Sequence, residues 1–285
     1  MRLRTLVDGV ERARVLDRPG QAVQKVVTKV LRGQRVQDVL HGGWLGHPLH
    51  PALVTVPIGS WLSATLLDAM GVRGRPATVL IGLGSAAAVP TAVAGLNDWA
   101  SLSVTQRRTG LVHATANTIA LGCYVGSFVA RLRGNEATGR RLAYAGLTIA
   151  GAGAYLGGHL AYRQAAAVNN AEPLLNRIPQ GWHSLCDVAA ITPGKPQVYH
   201  MGEVPVLVAR DGTDVSVMVE HCAHQTGPLG EGEVLTVDGA DCVVCPWHGS
   251  TFRLSDGAVV HGPAGTNQPM LRSRIRDGRV EASLP

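Results

Sequence analysis

The sequence predicts a chain of two unlike parts, an α-helical four-span transmembrane bundle followed by an all-β domain built as an antiparallel β-sandwich. Three observations predict it. Four apolar runs, each near the ~20 residues needed to cross a bilayer, fall within residues 52–159. Short β-rich stretches separated by Asp-Gly turns follow residue 200. Asp68 is the one Asp, Glu, Lys or Arg inside the four runs. Whole-chain averages, 46% hydrophobic residues and a mean hydropathy of +0.12, conceal this division because they blend a membrane half with a polar half.

Residues 1–40 hold nine Lys/Arg against four Asp/Glu and so carry most of the formal net charge of +6. Val23, Val26, Val27, Val30 and Leu31 follow helical spacing among Lys25, Lys29, Arg32 and Arg35, a pattern suited to the face of an anionic membrane. No aromatic residues interleave with these charges, which argues against a nucleic-acid partner. The first apolar run begins after residue 50, so no secretory signal peptide is expected.

The four runs, 52–70, 77–96, 111–130 and 142–159, make residues 41–165 the membrane domain. Small residues at four-residue spacing, Gly122 with Gly126 and Gly146 with Ala150 and Ala154, let helices approach closely in lipid. Thirteen Lys/Arg lie on the side of the two termini against six on the other. That asymmetry predicts a multi-pass protein of the inner membrane with termini and C-terminal domain in the cytoplasm. An up-down-up-down path brings His47 and His50, His113 and His159 to one membrane face. Neutral histidines from facing helices are what axial ligation of haem needs, so a haem b or quinone site is expected there, with His113 and His159 as the axial pair. Residues 166–180, with Asn169, Asn170, Glu172, Pro173 and Pro179, read as a polar linker on which the C-terminal domain can swing.

In residues 181–285 the runs Val204-Pro205-Val206-Leu207-Val208 and Val215-Ser216-Val217-Met218-Val219 flank Asp211-Gly212, a hairpin signal. Asp238-Gly239, Asp256-Gly257 and Asp277-Gly278 repeat it. Cys222-Ala223-His224 is answered by Cys245-Pro246-Trp247-His248. Two cysteines and two histidines suit tetrahedral zinc, or a 2Fe-2S cluster with one iron on two thiolates and the other on two imidazoles. Zinc loops pair like ligands, whereas each loop here supplies one of each, and this favours the cluster. Cys123, Cys186 and Cys242 read as small buried hydrophobes.

The run from Cys222 to Leu229, that from Cys245 to Phe252, and Gly262-Pro263-Ala264 resemble the Rieske ferredoxin-type domain over about residues 178–285. The resemblance implies a β-sandwich with Cys222, His224, Cys245 and His248 as cluster ligands on two loops at one end, and imidazole edges exposed there. High-potential relatives carry a disulfide between the loops, where this chain has Gly227 and Trp247, and a tyrosine where it has Phe252; Ser250 is kept. Fewer donors to sulfur imply a low potential for the class. Residues 40–165 resemble a bacterial four-helix membrane domain of unknown function through His41-Gly42-Gly43-Trp44-Leu45-Gly46-His47-Pro48-Leu49-His50-Pro51, Pro57-Ile58-Gly59, Gly95-Leu96-Asn97-Asp98-Trp99, His113 and Asn117.

Together these features predict a membrane-anchored, oxidoreductase-type electron carrier working between a membrane redox pool, or a bundle cofactor, and a partner protein. The alternative is a non-catalytic redox sensor or docking module.

Overall fold

The computed structural model describes residues 3–72, 74–211 and 214–285, and the chain divides into two compact units. A helical unit takes the chain up to Arg32 together with Leu49–Ala166; a strand unit takes Gly33–Pro48 with Ala167–Pro285.

The helical unit begins with α1 (Leu3–Arg12) and α2 (Asp17–Val30); α3 (Gln34–His41) belongs to the strand unit. Then follow α4 (Leu49–Leu53), α5 (Thr55–Ala69), α6 (Arg75–Ala100), α7 (Val104–Leu132) and α8 (Glu136–Tyr162). Local chemistry explains the ends. Ser103 and Gln106 form a reciprocal capping box at the start of α7, and Asn135 accepts the Thr138 amide at the start of α8. Pro76 lies in the first turn of α6, where a missing N–H costs nothing.

Packing inside this unit follows a polar stripe on α7. His113, Asn117, Tyr124 and Arg131 lie at helical spacing on one face, and each meets a glycine of α8: Gly157, Gly153, Gly146 and Gly139 in unbroken antiparallel register. A Cβ added to Gly153 would sit 2.7 Å from Asn117 Oδ1, and one on Gly139 2.6 Å from Arg131 Cγ. The glycines that admit these large side chains are therefore not Gly122, which is exposed with open space around it, and Ala154 is exposed too. Trp61 of α5 stacks on Tyr124 with ring centroids 4.1 Å apart. At one end, Asp68 of α5 and Arg131 are joined at 2.5 Å with side chains 2% and 1% exposed. Arg131 also reaches Glu136 at 3.1 Å.

Many large apolar side chains point the other way, although Trp61 and Ile81 are buried with Tyr124. Ile58, Leu62, Leu66, Val79, Leu83, Ile119 and Val125 are exposed on the outer surface of the bundle. Four spans were expected; among the described residues two helical stretches, Leu49–Ala69 and Arg75–Ala100, are long and apolar enough to cross a membrane. In α7 and α8 the inward polar stripe and its facing glycines dilute the apolar run.

The N-terminal helices attach by charge. Arg108 holds Asp17 through two bonds of 2.6 and 2.8 Å, and Gln24 donates to Ala100 O at 2.6 Å. Half of the valine stripe turns inward as a result: Val27 is buried and Val23 packs near Trp99, while Val26 and Val30 stay exposed with Lys25 and Lys29.

The strand unit has a six-stranded antiparallel sheet in the order β1-β10-β9-β4-β3-β2, and a four-stranded one in the order β5-β6-β7-β8. In chain order the strands are β1 (His183–Asp187), β2 (Gln197–Met201), β3 (Val204–Asp211), β4 (Asp214–Val219), β5 (Glu233–Val237), β6 (Ala240–Val244), β7 (Thr251–Arg253), β8 (Val259–His261), β9 (Met270–Arg276) and β10 (Arg279–Ser283). β3 and β4 pair out to Asp211 opposite Asp214, as the hairpin signal requires; Gly212 itself lies outside the described residues. β3 reads as an unbroken apolar run because both its faces are covered. Leu207 and Ala209 join Met218, Val243 and Phe252 in one core, and Val206 and Val208 join Met201, Val217 and Val280 in another.

Residues 166–180, expected as a swinging linker, are anchored at several points along an otherwise largely exposed path. Ala171 is fully buried, Ile178 is 5% exposed, and Asn170 donates to Ala223 O at 2.9 Å through its amide and to His224 O at 2.6 Å through its side chain. Leu174, Leu175 and Ile178 give this polar-looking segment an apolar side that composition averages away.

Replacing Asp68 with Asn strands a buried guanidinium that Glu136 compensates only in part. The expected loss is about 3 kcal/mol of stability, read as a lower unfolding temperature in detergent, with most of it recovered in the double variant Asp68→Leu/Arg131→Met.

Candidate metal centre

Two loops of the strand unit carry the predicted ligands, and they are built alike. In the first, Cys222 N–H donates to Gly227 O at 2.9 Å while Thr226 N–H returns to Cys222 O at 2.8 Å. In the second, Cys245 N–H donates to Ser250 O at 2.8 Å while Gly249 N–H returns to Cys245 O at 3.0 Å. Each cysteine thus closes its own turn. The closing residues take positive φ, Thr226 at 57° and Gly249 at 73°. Gly227 is required by space: a Cβ there would come within 2.7 Å of Cys245 Sγ.

The turns point amides at sulfur. Cys222 Sγ faces the backbone N–H groups of His224 and Gln225, and Cys245 Sγ those of Trp247 and His248. The two sulfurs, 0% and 2% exposed as residues, also face one another. A bond from the Cys222 thiol, helped by the amides of Trp247 and His248, draws the Cys245 thiol below its ordinary value. Cys222, as the donor in that bond and in its burial, is pushed up instead.

The imidazoles also come as a pair. The rings of His224 and His248 lie edge to face with centroids 5.0 Å apart. Burial, then the neighbouring His248 and His41, pushes His224 down to about 3, so its ring is neutral, the form that binds metal. His224 Nδ1 is buried and has no hydrogen-bond partner. An orphaned imidazole nitrogen beside a second imidazole, with two sulfurs nearby, fits the two-by-two ligand set of a 2Fe-2S cluster. Among the described residues no three His, Cys, Asp or Glu side chains lie close enough to share one metal ion. The two histidines differ in exposure, since His224 is 7% exposed whereas Pro246, Trp247, His248 and Gly249 form an exposed tip.

Supporting contacts were not legible in the motif. The carboxamide of Gln268, itself 2% exposed, accepts from Ala223 N–H at 2.8 Å and donates to Val219 O at 2.7 Å and His221 O at 2.8 Å. Ser250 Oγ accepts the Ala264 amide at 3.1 Å, which ties the 262–264 segment to the second loop. Asp38 and His41, far away in sequence, also pack into this unit. A glutamine between Asn267 and Pro269 gives no signal that it will reach back forty-five residues.

The four helical-half histidines do not form the expected set. His50 and His113 do meet, with ring centroids 6.4 Å apart. His50 Nδ1 bonds to Thr91 O at 2.9 Å, and His113 Nδ1 to Gly153 O at 2.7 Å. His159 Nε2 is held by Glu11 Oε1 at 2.7 Å, whereas His113 meets His50. That bond is also the main reason the Glu11 carboxyl titrates below the usual range. His47 belongs to the strand unit, exposed, with Nδ1 against Pro48 O at 3.0 Å. An N-terminal acid, invisible to an analysis of the apolar runs, decided the fate of His159.

Comparisons with known proteins agree with the motifs. Residues 181–273 match the family described as Rieske [2Fe-2S] domain, and residues 46–170 the family described as Predicted membrane protein (DUF2231). The anthranilate 1,2-dioxygenase ferredoxin subunit of Burkholderia cepacia is 32% identical over 103 residues, which are 36% of this chain and 92% of that protein. A Rieske domain-containing protein of Homo sapiens is 29% identical over 27% of this chain and 41% of its own length. Among solved structures, the Sphingomonas yanoikuyae B1 ferredoxin is 26% identical with a TM-score of 0.33, covering 37% of this chain and 100% of that one. The ferredoxin of carbazole 1,9a-dioxygenase from Nocardioides aromaticivorans IC177 is 19% identical with a TM-score of 0.35 over 37% of this chain and 100% of its own.

Replacing Gln268 with Leu removes three bonds to the first loop and the strand before it, two of them buried. We expect about 3 kcal/mol of destabilisation, at roughly 1 kcal/mol per lost bond, and iron content below that of the parent protein by elemental analysis.

Proposed function

From a chain that belongs through residues 181–273 to the Rieske [2Fe-2S] family, and whose preceding residues 46–170 match a family of membrane proteins, we infer a membrane-anchored one-electron carrier. The observation that carries this is the pairing of two sulfurs and two imidazoles on two identically closed turns. When bound, a 2Fe-2S cluster supplies reversible one-electron transfer without a net change in its ligands.

The chain's own residues prepare that site. Cys222 and Cys245 would hold one iron, and the four backbone amides aimed at their sulfurs stabilise negative charge there. His224 and His248 would hold the other as neutral rings. The tip of residues 246–249, exposed while His224 is buried, is the side from which a redox partner protein approaches. Ser250 remains as a hydroxyl near the second loop, and Phe252 is fully buried with no hydroxyl to offer. Fewer donors to sulfur favour a potential in the lower part of the ~−150 to +300 mV Rieske range.

Anchoring rests on an inverted solvent preference in the helical unit. Its interior carries His113, Asn117, Ser127 and the Asp68–Arg131 pair, while leucine, isoleucine and valine cover its exterior. A soluble bundle would do the opposite, and so broad an apolar exterior has lipid as its natural solvent. We read α4 with α5, then α6, α7 and α8 as four crossings of the inner membrane, with the strand unit on the cytoplasmic side.

The test is a dithionite-reduced minus oxidised optical spectrum of the full chain in detergent. The expected result is the broad bleaching of a 2Fe-2S cluster, lost in Cys245→Ser and in His248→Ala. A full complement of zinc and no bleaching would sink the carrier reading. Recovery of the protein in the soluble fraction, without detergent, would sink the anchor separately. In a redox titration Phe252→Tyr should move the midpoint positive of the parent value.

A further inference from the structure

Residues 33–48 are encoded between α2 and α4, yet they fold with the strand unit. The polar side of α3 makes the attachment. The Asp38 carboxylate accepts from His261 Nδ1 at 2.8 Å with one oxygen, and from the Gly262 amide at 3.1 Å with the other. His41, almost one turn further on, is buried. Past the helix, Gly43 lies against Val259, where a Cβ would come within 3.0 Å of that side chain, and Pro48 lies over Gly265.

The other side of α3 is apolar. Val36, Val39 and Leu40 share it by their i, i+3 and i+4 spacing, and Val36 and Val39 are 50% and 54% exposed. A helix on a water-facing surface does the opposite, laying its apolar stripe on the core and its charges in solvent. Beyond the helix Trp44 is 66% exposed, its indole N–H donating back to Val39 O at 3.1 Å, and Leu45 is exposed next to it. The segment uses its polar groups to grip the strand unit and leaves its apolar ones uncovered.

The path of the chain identifies the cover. Three crossings join the two units, after Arg32, Pro48 and Ala166, and two of them flank this segment. Leu49, the first residue past Pro48, opens a stretch apolar enough to cross a membrane. Even a fully extended chain would keep Trp44 within about 18 Å of the start of that crossing. Indole rings and arginines beside apolar groups are what the boundary between lipid headgroups and acyl chains takes up, and Arg35 is exposed on this helix.

We propose that residues 33–48 are an interfacial anchor that rests the strand unit on the lipid surface, with Val36, Val39, Trp44 and Leu45 entering the headgroup boundary and Arg35 meeting lipid phosphate. Asp38 is the clasp that joins this anchor to residues 261 and 262. The same stretch reaches the second ligand loop through the bond from Ala264 to Ser250. The anchor keeps the cluster-bearing unit at the membrane surface, so its electrons are exchanged at that level. This inference rests on the membrane-anchoring reading above.

The experiment uses the full chain with its cluster oxidised and therefore diamagnetic, in vesicles of phosphatidylcholine and phosphatidylglycerol. A nitroxide is attached to the variant Val39→Cys, and its collisions with oxygen, which concentrates in lipid, and with a water-soluble nickel chelate are compared by EPR power saturation. Leu62→Cys on the outer surface of α5 is the lipid reference, and Lys195→Cys on an exposed loop of the strand unit is the water reference. The parent chain gives the background from native thiols, and the cluster spectrum checks the fold of each variant. The Val39→Cys label should favour oxygen over nickel, at a depth of about 5–10 Å in the interface, while the Lys195→Cys label favours nickel. Should Val39→Cys lose its cluster, Val36→Cys reads the same face. A label on that face that behaves like the Lys195→Cys label, while the Leu62→Cys label sits in lipid, overturns the interfacial anchor alone. A label shielded from both reagents overturns it too, because a protein partner or a second copy then covers the face. A Leu62→Cys label open to nickel would instead defeat the membrane-anchoring reading.

Discussion

Two cysteine sulfurs buried side by side have lost their water, and as cluster ligands both would carry negative charge, a cost around which the strand unit is organised. Its answer is the inward pair of amides in each turn, together with a second pair of ligands that carries no charge. Once each cysteine must accept amides from residues two and three positions ahead, the turn can have few conformations, and the histidine is delivered to the same side. Gln268, Asn170 and Ser250 then hold the turns from behind, each by bonds to backbone. Loops would otherwise be the softest part of a β domain. Here they join the core, since Cys222, Ala223 and Cys245 pack with Leu207, Val243 and Phe252.

The helical unit obeys the same physics with a different solvent. Polar groups that water would normally satisfy are gathered inside, and glycines of α8 make room for the large ones on α7. The Asp68–Arg131 pair is buried and further bonded through Ser127 and Glu136, the condition under which an ion pair away from water is tolerable. N-terminal helices dock by Asp17, Glu11 and Gln24. A basic segment that looks membrane-directed by composition is in good part a structural brace.

The two cysteine–histidine loops, the hairpin at β3 and β4 and the existence of the four long helices were legible, because each is written in residues near one another. C-x-H and C-x-x-H each lie within one turn, and the apolar runs mark α6, α7 and α8, which extend beyond them at both ends, whereas the first run is divided between α4 and α5. What misled was local evidence for non-local facts. Asn169, Asn170, Glu172 and Pro173 suggest a tether, but Ala171 and Ile178 are buried. His113 and His159 look like partners by their depth, yet His50 and Glu11 claim them, each by a contact that closes only when helices pack.

By itself, the sequence determined the chemistry: two sulfurs and two imidazoles at cluster spacing, and apolar helices with almost no charge. Tertiary structure alone decided which imidazole is covered, which histidines meet, and that residues 33–48 leave their neighbours to pack on residues more than two hundred positions away. The reason is physical. Spacing along a chain sets which groups can share one turn or one helix face. Burial and hydrogen bonding between distant segments depend on how complete surfaces fit, and no short window of residues encodes that fit.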